Sequence, residues 1–386
     1  MHTQSKYRLL VVRLGAMGDV LHALPAVTAL RQAHPSWVID WVIEPAWCAL
    51  LTANCDVANP GLGPAQPVVD RLHLASTKAW RHHPLSPQTR CEMKALRQAL
   101  RGCGYDAVLD FQGAVRSAAV ARMTGCGRRI GESKPREWAA RWLFTERVVT
   151  HGAHVIEQDV ELATAVAGDE LTAVQPWLPI DGDAEAWCDT LLPRSGQIQA
   201  VLLNPGAGWG AKRWPVERYA AVARALADRG FRILLNSGPG EEPLANAIRE
   251  QADGAAQPCS CSVSQLIALT RRVALVIAGD TGPLHLASAL GRPVVGIYGP
   301  TDPARNGPFG TRSRVLRSRG SRRDHSRRSE PEAGLLTITP EAVLQAAGEL
   351  LAGDSQESGD QAKSASAAGV ERQVFVRGAG EGETVR

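Results

Sequence analysis

The feature that most limits the possible folds is a regular alternation of short apolar runs with helical patterns. Residues 8–12 (RLLVV) predict a buried strand, the glycine-containing RLGAMGD segment predicts a turn, and residues 20–33 predict a helix. Further strands are predicted at 38–43 and 107–111, and further helices at 93–102 and 117–123. This alternation is typical of a mostly parallel sheet with crossover helices.

The second half of the chain follows the same plan. Strands are predicted at 200–203, 232–236, 274–278 and 294–298, and helices at 216–229, 263–269, 282–290 and 339–351. The segment 176–183 (PWLPIDGD) is rich in proline and glycine and predicts a linker. A length of 386 residues suits two domains. We therefore predict α/β domains at 1–176 and 184–352, and a disordered tail, rich in small and polar residues, at 353–386.

Composition excludes several classes of protein. Hydrophobic residues make up 44% and charged residues 21%, which are the proportions of a globular chain. No signal-peptide core and no apolar run long enough for a membrane span is found, so any membrane contact is expected to be peripheral. Eight cysteines lack zinc-site spacing, which predicts reduced thiols and no structural metal.

Basic residues are concentrated in one segment. Residues 312–328 contain eight arginines and one acidic residue, Asp324, without apolar periodicity. A solvated loop is the first interpretation, and a basic module that binds nucleic acid is the alternative. The formal net charge of +4 is small for this length, so we expect no nucleic-acid partner.

Three segments lie where predicted strands end, at 13–26, 204–215 and 279–303. In two α/β lobes that face each other across a cleft, the loops at the carboxyl ends of the strands surround a shared ligand site. We therefore expect these three segments to line one cleft.

The two later segments predict a phosphate site. Asp280, Thr281 and Gly282 precede a helix whose first amides and dipole favour an anion, although an ordinary capped helix has the same pattern. Lys212 follows glycines that allow close backbone approach, among them Gly208, and its charge can stabilise a diphosphate leaving group. An exposed lysine is the alternative.

The first segment predicts a proton acceptor. Asp19 follows the glycine turn and could take the proton of an attacking hydroxyl, with His22 as a lesser candidate. The alternative is that Asp19 caps a helix beginning at Val20. In the loop 76–81, Lys78 and Arg81 beside a tryptophan suit an acidic acceptor, and a solvated basic loop is equally compatible.

Together, the segments GDVLHALPA (18–26) and DTGPLHLASALGRPVVGIYGPTDP (280–303) resemble glycosyltransferase family 9, the bacterial lipopolysaccharide heptosyltransferases. The similarity extends over residues 8–351, and segment 105–118 resembles type I enzymes more than type II. The resemblance implies the GT-B architecture, two Rossmann-like domains facing across a cleft. It also implies that Asp19 is the general base and that Lys212 contacts the donor phosphates.

The remaining site residues are implied by the same resemblance. Donor-binding positions are Gly208, Lys212, Glu242 at the ribose, Asp280, Thr281, Gly282 and His285. Acceptor-binding positions are Gly18, His22, Lys78, Arg81 and Arg116.

The resemblance also implies the substrates and the location of the enzyme. The expected donor is ADP-L-glycero-D-manno-heptose, and the expected acceptor is Kdo-bearing lipid A. The transfer would be inverting and would need no metal or other cofactor. The enzyme would be cytoplasmic, peripheral at the inner face of the inner membrane. A heptosyltransferase of type II or III, and a sugar-nucleotide epimerase of GT-B architecture, remain the alternatives.

Overall fold

The computed structural model describes residues 6–55, 61–193, 198–321 and 329–352. Within these ranges the strands form two six-stranded parallel sheets. The first sheet has the order β3-β2-β1-β4-β5-β6. Its strands are β1 (Arg8–Val12), β2 (Val38–Ile43), β3 (Arg71–Leu74), β4 (Ala107–Asp110), β5 (Arg129–Glu132) and β6 (Glu146–Val148).

The second sheet repeats this topology, with the order β12-β11-β10-β7-β8-β9. In both sheets the order reverses between the first and fourth strands, which is the Rossmann arrangement and its ligand-binding switch point. The strands are β7 (Ala200–Asn204), β8 (Arg232–Asn236), β9 (Ala256–Cys259), β10 (Leu275–Gly279), β11 (Val294–Tyr298) and β12 (Ser313–Arg317).

Helices cover the faces of both sheets. They are α1 (Met17–Ala33), α2 (Thr77–His82), α3 (Pro87–Cys103), α4 (Val115–Met123), α5 (Val155–Ala167), α6 (Gly182–Leu191), α7 (Val216–Ala227), α8 (Glu242–Gln251), α9 (Val263–Thr270), α10 (Gly282–Ala289), α11 (Pro303–Asn306) and α12 (340–352). Among the described residues, no helix is both long and apolar enough to cross a bilayer.

The central strands are apolar because both of their faces are covered. Residues 9–12 of β1 and 275–278 of β10 are fully buried, which explains continuous apolar runs where a half-exposed strand would alternate.

Helix α1 is buried over thirteen of its seventeen residues, because α5 covers one side and α10 of the other half covers another. One apolar core consequently continues from the first sheet, through α1, to Leu284 and Leu286 of α10.

The fold class predicted from the sequence is confirmed: two Rossmann-like α/β halves. Several details differ. Helix α1 begins at Met17, so Asp19 does not precede the helix, and α6 begins at Gly182, inside the predicted linker. Residues 313–317 of the arginine-rich segment form edge strand β12. The predicted tail, 353–386, lies outside the described residues.

The cysteine prediction was wrong at one pair. Cys48, in the short helix Pro45–Leu50, is joined to Cys55 by a disulfide, where the sequence predicted reduced thiols. These positions are close in sequence, so their pairing depends on the local turn and not on a recognisable cysteine motif.

Candidate active site

The switch point of the first sheet brings Asp19 together with Arg13. Arg13 follows β1, and its guanidinium donates to the carbonyl oxygen of Phe111, just after β4. Its Nη2 lies 3.3 Å from Asp19 Oδ1, and its Nε donates to the Asp19 carbonyl oxygen at 3.2 Å. Arg13 therefore fixes the carboxylate at the edge where β1 and β4 end.

The Asp19 carboxylate also contributes to the start of α1. Its Oδ2 accepts a hydrogen bond from the backbone N–H of Ala16 at 3.0 Å. The side chain is nevertheless 37% exposed. Asp19 thus stabilises the first turn of the helix and still presents an accessible carboxylate oxygen.

The switch point of the second sheet holds a buried ion pair. Lys212 follows β7 and pairs with the carboxylate of Asp280, which follows β10. The lysine Nζ also lies 4.4 Å from the centre of the Trp209 ring. Burial raises the pKa of the Asp280 carboxyl, but hydrogen bonds and charges from His285 and Lys212 outweigh burial and hold this pKa well below its ordinary value. Asp280 is therefore ionised.

Hydrogen bonds extend from this ion pair into the first lobe. His285 Nε2 lies 3.2 Å from Asp280 Oδ1, and His285 Nδ1 lies 3.2 Å from His22 Nε2. Burial and the neighbouring His285 lower the pKa of His22 well below its ordinary value, so His22 is neutral. A chain of polar contacts therefore joins Lys212 in one lobe to His22 in the other.

Two glycines allow the starts of α1 and α10 to meet. A Cβ on Gly18 would lie 2.7 Å from Cδ2 of His285, and a Cβ on Gly282 would lie 2.5 Å from Sδ of Met17. Neither space accepts a larger residue without movement. Asp19 and Thr281, which adjoin these glycines, therefore lie next to the contact between the two helix starts.

The remaining predicted donor positions lie on the same edge of the second sheet. Thr281 is the N-cap of α10, and Gly208 is exposed in the loop after β7, with open space around it. Glu242 is the exposed first residue of α8. The neighbouring Glu241 contacts the loop after β8, where its carboxylate accepts a hydrogen bond from the Gly238 N–H at 3.0 Å.

The predicted acceptor cations lie on the first lobe, apart from the polar chain. Lys78 and Arg81 are exposed on α2, where the sequence predicted a loop, and Arg116 is exposed near the start of α4. The tryptophan between the first two, Trp80, is buried, and its Nε1 donates to Glu92 at 2.7 Å. The expectation that this ring accompanies the cations at an acceptor was wrong, because the ring belongs to the core.

Sequence reasoning missed several members of the site. Arg13 and Trp209 lie inside the predicted segments 13–26 and 204–215, but only the folded contacts reveal which groups they touch. His154 lies edge-on to His22, with ring centres 5.7 Å apart, and comes from a segment that no motif marked. Asp159 of α5 is fully buried near Arg13 and Asp19.

A separate buried cluster has metal-ligand chemistry. Asp40, His73 and Cys103 place one donor atom each within 4.8 Å of one another. The Tyr105 hydroxyl already bridges two of them, since it donates to Asp40 at 2.7 Å and lies 2.8 Å from His73 Nε2. These contacts link the cluster into a polar network within the first lobe, although Asp40 Oδ1 has no hydrogen-bond partner among the described residues.

Known proteins share both the sequence and the architecture. Residues 93–335 match the model of glycosyltransferase family 9 (heptosyltransferase). Lipopolysaccharide heptosyltransferase 1 of Escherichia coli K12 is 30% identical, over 88% of this chain and 98% of that protein. The enzyme of the same name from Pseudomonas aeruginosa is 28% identical, over 80% and 82%.

A solved structure agrees with these sequence matches. E. coli heptosyltransferase WaaC with ADP-2-deoxy-2-fluoro heptose superposes with a TM-score of 0.70 at 30% identity, covering 89% of this chain and 99% of that one. The family resemblance and the GT-B architecture inferred from the sequence are both confirmed. The chain belongs to glycosyltransferase family 9, the heptosyltransferases.

Proposed function

We propose that this enzyme transfers L-glycero-D-manno-heptose from ADP-heptose to a Kdo-lipid A acceptor, with inversion at the anomeric carbon, in the synthesis of inner-core lipopolysaccharide. The observation that carries the proposal is the contact between the starts of α1 and α10, which border the proposed gap between the lobes where donor and acceptor meet. One provides the Asp19 carboxylate, and the other provides the Thr281–Gly282 turn beside Lys212. The names of the similar E. coli proteins support the donor and the pathway.

In the reaction, Asp19 accepts the proton of the acceptor hydroxyl as its oxygen attacks the anomeric carbon. The bond from that carbon to the diphosphate oxygen breaks, and ADP leaves with the electron pair. Arg13 is a positioning residue, because its contacts to Asp19 hold the carboxylate in place.

The leaving diphosphate gains negative charge, which Lys212 and the start of α10 stabilise. Asp280 holds the lysine side chain in the site before the donor arrives. Gly208, Thr281, Gly282 and His285 complete the diphosphate and sugar end, and Glu242 contacts the ribose. No metal is required, since lysine and amide groups provide the positive charge.

The first lobe, 1–176, binds the acceptor, and the second, 184–352, binds the donor. Gly18 and His22 adjoin Asp19 at the gap, while Lys78, Arg81 and Arg116 attract the acidic groups of the acceptor. Because that acceptor is a lipid, the enzyme works in the cytoplasm as a peripheral protein at the inner face of the inner membrane.

The test is transfer from ADP-heptose to Kdo-lipid A by the purified enzyme and by Asp19→Asn. We expect Asp19→Asn to lower kcat by roughly 10²–10⁴-fold, because an amide accepts no proton. Asp228→Asn, on the exposed end of α7, is the matched control and should keep the wild-type rate.

Two results would contradict the proposal. Wild-type turnover by Asp19→Asn would show that another group takes the proton. Isomerised nucleotide sugar formed without any acceptor would identify an epimerase instead of a transferase.

A further inference from the structure

Helix α3 carries a stripe of positive charge. Arg90, Lys94, Arg97 and Arg101 recur at intervals of three and four residues, and all four are exposed. This spacing places them on one side of the helix. Leu96 and Leu100 occupy a different side, buried against the first lobe, so packing does not account for the stripe.

The stripe forms one wall of a broad groove of about 760 Å³. Arg122 and Arg129 add two further cations from α4 and β5. The remaining lining side chains are apolar, and none of the lining residues is acidic. A groove with this charge favours a partner that presents many phosphates.

Exposed tryptophans lie beside this groove, in the short helix Trp138–Leu143. Trp138 is 62% exposed and Trp142 is 64% exposed. Their rings pack edge to face with centres 5.6 Å apart, and the Arg141 guanidinium lies 5.5 and 5.7 Å from the two ring centres. Large apolar rings interleaved with cations are typical of a membrane–water interface.

The groove and the tryptophan helix form one surface. Leu143, the last residue of that helix, lines the groove, and its carbonyl oxygen accepts from Arg129 Nε at 2.9 Å. Two acidic groups lie nearby: Glu146 pairs with Arg128 at 2.9 Å, and Glu137 accepts from the Val115 N–H at 2.8 Å but keeps its charge. The six cations that line the groove outnumber these groups, so the surface stays positive.

We propose that this surface docks the enzyme on an anionic phospholipid bilayer, with Trp138 and Trp142 at the level of the headgroups and the α3 stripe on the lipid phosphates. The inference deepens the proposed function and rests on it in one respect, the lipid nature of the acceptor. Docking needs no catalysis, because cations and interfacial tryptophans bind anionic membranes by themselves.

The location of this surface fits an acceptor held in the membrane. Arg136, just before Trp138, has its backbone N 3.0 Å from where a Cβ on Gly113 would lie. Gly113 belongs to the turn between β4 and α4, at the carboxyl edge of the first sheet. The tryptophans therefore lie beside the acceptor side of the gap, so a docked enzyme can receive a sugar that remains anchored in lipid.

The test is co-sedimentation of the full chain, without donor, with vesicles of phosphatidylglycerol and phosphatidylethanolamine, compared with phosphatidylcholine vesicles. We expect binding only to the anionic vesicles, weakening as salt is raised. A basic residue near such a surface contributes about fivefold, so Arg90→Gln/Lys94→Gln/Arg97→Gln should weaken binding by about a hundredfold. Trp138→Ala/Trp142→Ala should also weaken it.

Matched controls remove the same groups elsewhere. Arg229→Gln/Arg249→Gln/Arg314→Gln deletes three exposed charges from the second lobe, and Trp177→Ala deletes a tryptophan that is 42% exposed. Both should bind vesicles more tightly than the α3 and tryptophan variants. If circular dichroism shows that the tryptophan variant misfolds, the α3 variant alone tests the proposal, since its residues are on an exposed helix face.

Three outcomes would overturn the proposal: wild-type vesicle binding by the α3 variant, equal binding to phosphatidylcholine, or binding of single-stranded DNA through the same residues without vesicle binding. Activity separates this test from that of the proposed function. Vesicle binding without heptose transfer would refute the transfer alone, and transfer to a deacylated acceptor without vesicle binding would refute the docking alone.

Discussion

Asp159 shows how one buried residue beside the site affects the whole protein. Its side chain is almost completely buried, and its Oδ2 has no hydrogen-bond partner among the described residues. Burial, helped by the charges of Asp19 and Glu132 and opposed by Arg13, raises the pKa of this carboxyl to about 7. The folded protein therefore keeps a proton here that the unfolded chain releases near pH 4.

We expect Asp159→Asn to change the pH dependence of stability. Because the folded pKa lies above the unfolded value, the wild type loses stability as pH rises from about 4 to 7, by roughly 4 kcal/mol from this group. Asparagine does not titrate, so the variant should lack that part of the loss. Urea unfolding at pH 5 and pH 8 measures the larger part of this loss, with Asp183→Asn on the exposed start of α6 as the control. Parallel wild-type and Asp159→Asn profiles would disprove the assigned pKa.

Many residues of the candidate site could be predicted from the sequence, and those that could not depend on contacts between distant parts of the chain. Lys212, Asp280 and His285 follow or begin recognisable elements, so the sequence placed them at one sheet edge, where they do contact one another. Arg13 and His154 bond to Phe111 and Gly307, which are distant in sequence. Asp159 likewise comes near Arg13 only in the folded chain.

At the scale of elements, the packing of α1 against α10 depends on residues that lack side chains. Gly18 and Gly282 let the two helix starts approach each other, and each would clash as alanine. At Gly282 the added carbon would lie 2.5–2.9 Å from Sδ, Cγ and Cβ of Met17, and at Gly18 it would lie 2.7 Å from Cδ2 of a buried, hydrogen-bonded imidazole. Both positions therefore require glycine for this packing.

We expect Gly18→Ala to lower kcat/KM by roughly tenfold to a hundredfold, because the added carbon displaces His285 and with it the geometry of the gap. The free energy of unfolding should change little, since the helix preference of alanine, about 0.5–1 kcal/mol, offsets part of the clash. Steady-state transfer kinetics and thermal unfolding separate the two effects. Gly182→Ala, at the start of α6 with nothing within 4 Å, should leave activity unchanged; equal kinetics for both variants would mean that the close approach is dispensable.

Elements were predicted best where burial gives a continuous apolar run. β1, β10 and β11 were recognised because both faces are covered, and they emerge within a residue of their predicted bounds. β12 was missed because an edge strand is only partly buried and tolerates arginine, so its residues resemble a solvated loop. α2 was missed because six residues are too short for a helical period to show.

At the scale of the whole molecule, the proposed donor site in the second lobe adjoins the first lobe through His285 and His22. A ligand that binds only the folded protein raises its stability, by about 2.7 kcal/mol at a hundred times its Kd. For lobes of this size that corresponds to a rise in Tm of several degrees. We expect ADP to produce this shift and UDP or GDP to produce less.

Lys212→Gln provides the internal check on this measurement. The variant should lose most of the shift with ADP, because its ammonium contacts the diphosphate under the proposed function. Differential scanning fluorimetry with and without each nucleotide measures it. An undiminished shift in Lys212→Gln, or a larger shift with UDP than with ADP, would be incompatible with the assigned donor site.

The packing of α1 against both α5 and α10 also determines whether either half can fold alone. Because α10 belongs to the second half and covers apolar residues of α1, neither half has a complete core by itself. A fragment ending near the linker would expose the apolar side of α1 to water. We therefore expect the two halves to fold as one cooperative unit.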